Sequence, residues 1–229
     1  MLVAPVTMQA QKIKDILNSA NNALGGGLSN DEIVKGLKEA LSIGSKNSAD
    51  KASKKDGFFR NTLIKILMPP EAKQMDATLR KIGAGKQVDQ FVMQLNRAAE
   101  DAAKKAAPIF LDAIMKMKLQ DGLTILQGGD DAATRFLNQN TNSQLLAAFA
   151  PVIKSSLDKV QITKYWTPLT SKYNKLPMVK KINPDLTKYV TGKAIEGLFK
   201  LVAQEEAKIR KDPAAQVTDL LKNVFGKKG

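Results

Sequence analysis

The sequence predicts an all-α protein, a single multi-helix bundle of about eight to ten helices. Three observations carry that expectation. Apolar residues recur three and four positions apart along most of the 229 residues, which places them on one face of a helix. Nowhere does a run of β-branched residues alternate with polar ones, as a half-buried strand requires. Glycine and proline cut the pattern into pieces of helix length.

In chain order, residues 1–10 (MLVAPVTMQA) read either as the end of a signal peptide cleaved near Ala10 or as a disordered start. Residues 11–229 are expected to form one helical domain. Gln11–Leu24 has Ile13, Ile16, Leu17, Ala20 and Leu24 at helical spacing and stops at Gly25-Gly26-Gly27. Ser29 with Glu32 makes a capping box, and Ile33, Leu37, Ala40 and Leu41 extend the apolar face behind it. The next stretch, SIGSKNSADKASKK, is small and polar and predicts a weak helix at best. Asp56-Gly57 predicts a turn before Phe58 and Phe59. Thr62–Met68 predicts a short apolar helix that stops at Pro69-Pro70, because the residue before a proline is pushed out of the helical region. Pro70 and Glu71 suit the first turn of the next helix.

Gln87–Ala107 has the clearest stripe: Val88, Phe91, Val92, Leu95, Ala98, Ala99, Ala102 and Ala106. Pro108 restarts a helix with Ile109, Phe110, Ala113, Ile114 and Met117 inward. Leu119–Leu126 follows, and either Asp130 or Asp131 is expected to cap AATRFLNQN. Ser143–Val160 predicts a separate helix kinked at Pro151. Asp185 caps a long helix to Arg210, and Pro213 opens a last one that ends at Gly226.

Composition narrows the chemistry. The chain has no cysteine and no histidine. That removes disulfides, thiolate nucleophiles, the usual general base and the commonest metal ligand. A non-enzymatic protein without cofactor or metal is therefore expected. Carboxylate and lysine chemistry is the enzyme class left open. The formal charge of +14 and pI near 9.8 favour anionic partners: lipid headgroups, acidic polymers or nucleic acid. The plainer alternative is that the lysines keep helix faces soluble. No apolar run reaches the ~20 residues that span a bilayer.

Lys159–Lys193 is the least typical stretch. It holds eight lysines against one acid, Asp185, and all three tyrosines and the only tryptophan. Read for function, Lys164, Lys172, Lys175, Lys180 and Lys181 hold an anionic partner while Tyr165, Trp166 and Tyr173 stack on it or sit at a lipid interface. Read for structure, it is a crossover whose rings close the bundle and whose lysines are solvated. A second candidate is an adaptable apolar pocket. Met68 and Met75 belong to that greasy set, and Phe91, Met93, Phe110, Met115 and Met117 are its leading candidates; ordinary core is the competing reading. Asp121, Asp130 and Asp131 offer oxygens to a hard cation or simply cap helices. Asn96, Arg97 and Glu100, and likewise Glu205, Glu206, Lys208 and Arg210, read as solvated ion pairs sooner than as buried clusters.

LSNDEIVKGLKEAL, DGFFRN, IKILMPPEAK, TLRKIGAGKQVDQF, LNRAAEDAAKKAAPIF, LQDGLTILQGGDDAAT, KYWTPL, KLPMVKKINPDLTKYVTGKAIEGLF and IRKDPAAQVTDLLKNVFG, in this order, resemble the bacterial family called domain of unknown function 4197. The resemblance implies a small helical protein that is exported, periplasmic or secreted, and it brings no activity with it. The expected function is binding of an anionic or amphipathic partner in the cell envelope: an anionic lipid, a cell-wall polymer or an envelope protein. The alternative is carriage of a hydrophobic ligand in the apolar pocket. Nucleic acid is disfavoured, since no helix-turn-helix cue is present and export would remove it.

Overall fold

The computed structural model describes residues 29–81, 83–162, 166–167, 170–171, 174–175, 177–178, 181–183 and 185–211. These residues form seven α-helices and one 3₁₀ turn (Pro70–Ala72), with no strand among them. The helices are α1 (Asn30–Ser53), α2 (Lys73–Lys81), α3 (Gly85–Ala103), α4 (Ala106–Met115), α5 (Leu119–Gln127), α6 (Ala132–Lys159) and α7 (Leu186–Lys211). The all-α expectation holds, and the count among the described residues is lower than the eight to ten the sequence predicts. The helices expected at Gln11–Leu24 and after Pro213 lie outside the described residues.

Three differences inside the described chain have physical causes. α1 runs on through the small polar stretch to Ser53. Ser45, Ser48, Ala49 and Ala52 are buried there, and their size lets α7 pack close. Residues Thr62–Met68 are turn and extended chain instead of a helix. Asn96 takes both polar backbone groups of Ile66 (N–H 2.8 Å, C=O 2.8 Å), and six or seven residues ending at two prolines are too few to sustain a helix against that competition. The two helices expected on either side of residue 142 are one, α6. Leu137, Thr141, Leu145, Phe149, Ile153 and Leu157 are all buried at a spacing of four, so one continuous inner row overrides the polar sequence between them. Pro151 sits inside this helix.

Pro108 shortens α3 in turn. It has no N–H to give the Lys104 carbonyl, so the chain turns at Lys104–Lys105 and restarts as α4. The main core cluster is drawn from α1 and α3 to α7, with Leu95, Ala99, Phe110, Phe149, Ile153, Trp166, Val190 and Leu198 among its members, and Ala40 with Ile209 forms a small separate one. α6 and α7 pack on each other and both pack on α3. Gly197 marks a close approach of α7 to the loop before Met68: a Cβ there would stand 2.9 Å from Phe58 Cε1 and 3.0 Å from Ile64 Cβ.

The caps divide into expected and unexpected. Ser29 and Glu32 form the reciprocal box (2.8 and 3.3 Å). The Ser29 amide and hydroxyl hold the Glu32 carboxyl below its ordinary range. Asp185 accepts the Lys188 N–H at 2.9 Å. The start of α6 is capped neither by Asp130 nor by Asp131. Glu206 from α7 accepts the N–H groups of Ala133 (3.0 Å) and Thr134 (2.9 Å) and the Thr134 hydroxyl (2.8 Å). Arg210 holds Glu206 at 2.9 Å and donates to the Ile125 carbonyl at 3.0 Å. One buried ion pair thus ties the end of α5, the start of α6 and the end of α7. The solvated pair expected from the sequence is corrected on this point: an orphan helix N-terminus needs an acceptor, and burial makes a carboxylate the strongest one.

Candidate functional site

A groove opens where α2, α3, the end of α6 and the start of the crossover meet. Its volume is about 730 Å³, within the roughly 300–1,000 Å³ of small-ligand clefts. Its apolar lining comes from Met68, Met75, Leu79, Val88, Phe91, Val160, Ile162 and Trp166. Its polar lining is Lys86, Gln87, Gln90 and Gln94, and no carboxylate stands among these residues.

Local sequence explains each contribution. Residues 87, 90, 91 and 94 share one face of α3, beside the Val88–Val92–Leu95 row that enters the core. That leaves Phe91 half-buried between a packed face and three glutamines. α2 has no buried residue; it lies along α3 and presents Met75 and Leu79 to the groove. Met68 arrives on the extended chain that Asn96 holds. Trp166 closes the other side. It is 2% exposed, and its ring centroid is 5.2 Å from that of Phe91 with the planes tilted by 31°. An aromatic pair in that geometry is worth about 0.5–1.5 kcal/mol beyond its buried area. The indole N–H finds no acceptor among the described residues, and the ring is held on this side by its contact with Phe91.

The groove therefore joins Trp166 of the basic set with Phe91, Met68 and Met75 of the apolar set. Phe110 is in the core against Phe199 (5.7 Å, edge-on). Met117 is buried in the same core, Met115 is 77% exposed, and Met93 is half-buried away from the groove. The five-residue pocket predicted from Phe91, Met93, Phe110, Met115 and Met117 is not assembled, because those residues are spread over different faces of α3 and α4 and, for Met117, the connection that follows α4. Lys175 and Lys181 are exposed. Lys164, Tyr165, Lys172, Tyr173 and Lys180 lie outside the described residues. Val160, Ile162, Leu79 and the glutamines escaped the sequence reading. The i, i+3, i+7 glutamines flanking Phe91 were the available signal for them.

The polar clusters are occupied by structural work. Glu100, 4% exposed, accepts the N–H groups of Phe58 (3.1 Å) and Phe59 (3.2 Å) and pairs with Arg97 at 2.6 Å. Arg97 also holds Asp56 at 2.6 Å. Its hydrogen bond, more than its charge at a distance, keeps the Asp56 carboxyl below the usual range. The solvated pair predicted for Asn96, Arg97 and Glu100 is instead a clamp: Arg97 and Glu100 hold the DGFFRN loop, and Asn96 holds Ile66 beyond it. A buried backbone N–H left without an acceptor is costly, and this loop has no helix of its own to supply one. The three acids considered for a cation are each engaged separately. Asp121 accepts the Lys118 N–H at 2.9 Å, Asp130 pairs with Lys211, and Asp131 pairs with Arg135. Among the described residues no group of three acids is placed to share an ion.

Beside the groove runs a charged cleft of about 600 Å³. Tyr189 donates there to the carbonyls of Leu67 (3.2 Å) and Met68 (3.4 Å). Burial, with Glu71 and Glu196 nearby, raises its phenol above the ordinary value. Lys193 and Lys200 hydrogen-bond Glu196 and lower its carboxyl. Tyr189 thus fixes the same Met68 segment that Asn96 holds, and is a support of the groove more than a reactive phenol. No helix among the described residues is long and apolar enough to cross a membrane.

No curated protein and no solved structure matches the chain. One family matches over residues 27–226. That span contains the extended Met68 segment, α2, α3 and the crossover, hence every described residue that lines the groove. The chain belongs to the family described as "Protein of unknown function (DUF4197)".

Proposed function

We propose that this protein is a non-enzymatic binding protein of the bacterial cell envelope, and that it holds an amphipathic ligand with an anionic head in the groove between Phe91 and Trp166. The observation that carries the reading is the groove itself. Its wall is apolar and rich in methionine and aromatic side chains, which repack around flexible chains at little cost. Among the described residues its polar lining offers one lysine and three amides and no opposing acid, which suits a carboxylate or phosphate head lying over an acyl chain. The absence of histidine and cysteine from the sequence and the structural engagement of Glu100, Glu206 and Asp121 support binding over catalysis. The envelope location rests on the family resemblance and on the reading of residues 1–10.

Native mass spectrometry of protein expressed in bacteria tests this. The expected spectrum shows bound species that disappear after organic extraction, with fatty acid or phospholipid in the extract. Phe91→Asp, which puts a like charge against the ligand head, is expected to give the bare mass alone. A bare mass for the unaltered protein, with nothing in the extract, would contradict the proposal.

A further inference from the structure

The crossover carries a second surface, on residues separate from the groove. Asn174 closes a loop across eight residues. Its side-chain amide donates to the Ile182 carbonyl and accepts the Ile182 N–H, both at 2.7 Å. Both feet are tied to the body. The Asn174 N–H donates to the Thr170 carbonyl at 2.9 Å, Thr170 is buried, and Ile182 is buried in the core cluster. Between the feet, Lys175, Pro177, Met178 and Lys181 are exposed. Met178 is fully so, at 103%, with its backbone in the left-handed region at φ 60°. That conformation is uncommon for a residue other than glycine. The sequence from Asn174 to Asn183 holds three lysines and no acid.

A methionine on a pinned loop, turned fully outward between lysines, is not placed by packing. We infer that this loop docks on an anionic lipid bilayer, with Met178 entering the interface and Lys175 and Lys181 on the headgroups. The chemistry favours lipid over the other anions the charge would attract. Phosphates of a nucleic acid or an acidic polymer would engage the lysines, but they offer an exposed thioether nothing to enter. A bilayer interface takes both: apolar side chains partition into it, and lysines gain from the negative surface potential. One apolar anchor with a few lysines gives weak, reversible attachment, which fits a protein that meets a membrane transiently.

Co-sedimentation of the full chain with vesicles tests this, comparing phosphatidylglycerol mixed into phosphatidylcholine with pure phosphatidylcholine. Binding is expected to the anionic vesicles only, and to be released by salt. Met178→Gln keeps the side-chain length and is expected to weaken partitioning about tenfold, as for burial of one such side chain. Lys175→Gln with Lys181→Gln is expected to weaken it about thirtyfold, at about fivefold for each lysine near the surface. All these side chains are exposed, so the thermal midpoints are expected to stay where they are. No binding of the unaltered chain to anionic vesicles would overturn the inference. So would binding that Met178→Gln leaves unchanged, since charge alone would then account for it.

Discussion

Two irregular segments join long helices in this molecule, and they are built in opposite ways. The loop from Lys54 to Met68 is saturated. The N–H groups of Phe58, Phe59 and Ile66 are all taken by side chains of α3, and Arg97 bridges Asp56 to Glu100. In the described part of the crossover from Val160 to Asp185, hydrogen bonds concentrate at two points, Thr170 and the Asn174–Ile182 closure. Its Trp166 indole has no acceptor among the described residues, and its described lysines, Lys175 and Lys181, face water. The difference separates support from recognition. The Glu100 carboxylate, buried and accepting three hydrogen bonds, is committed to holding the loop, however catalytic its burial looks. A ring held by packing, at the edge of an open groove, can be repacked around a ligand.

If the loop is the support, breaking its clamp should cost most. Glu100→Ala leaves two backbone donors and Arg97 without their acceptor. It is expected to cost about 3–5 kcal/mol, the range for removing one partner of a buried pair. For a chain this long that lowers the thermal midpoint by roughly 6–20 °C, read by calorimetry. Gly197→Ala tests the same support from the other side. Its new Cβ would press Phe58 and Ile64, and the expected loss is about 1–3 kcal/mol. If either variant were as stable as the parent, the loop would not be the rigid element described.

The contrast also has a pH signature. The Asp56 and Glu196 carboxyls are held low, by the Arg97 hydrogen bond and by the Lys193 and Lys200 hydrogen bonds respectively. A carboxyl whose folded pKa lies below its unfolded one stabilises fully above the unfolded value, about 4, and loses that contribution as pH falls through the folded value. With no histidine in the chain, the thermal midpoint is expected to be nearly level from about pH 5 to 7 and to fall below about pH 4. Asp56→Asn should make the acid limb shallower. A steep change near pH 6 in a thermal series would show that some other group governs stability.

Much of this fold is legible in the sequence, for stated reasons. The stripes of α3, α6 and α7 and the caps at Ser29 and Asp185 depend on residues close together in the chain, and the sequence displays them. What stays hidden depends on distant partners. Nothing near Ala133 says that Glu206 will cap it, 73 residues away. Nothing in TLIKILM says that Asn96 will hold it extended. For the candidate site, the rings could be named from composition. Their pairing across α3 and the crossover could not, because it depends on where a helix of 28 residues ends and the chain turns back.

The most direct test uses the fact that the chain has a single tryptophan, so its indole emission reports on Trp166 alone. Titrating the protein with a bromine-bearing fatty acid should quench that emission saturably at one equivalent, because bromine quenches only in contact. The unbrominated acid should compete. Phe91→Ala should weaken the affinity about tenfold, as expected for losing a ring-sized apolar contact, while removing no more than about 1–2 kcal/mol of stability from a half-buried position. Linear quenching without saturation would place the ligand away from Trp166, and saturation that Phe91→Ala leaves untouched would place it away from Phe91; either result would contradict the groove as the binding site.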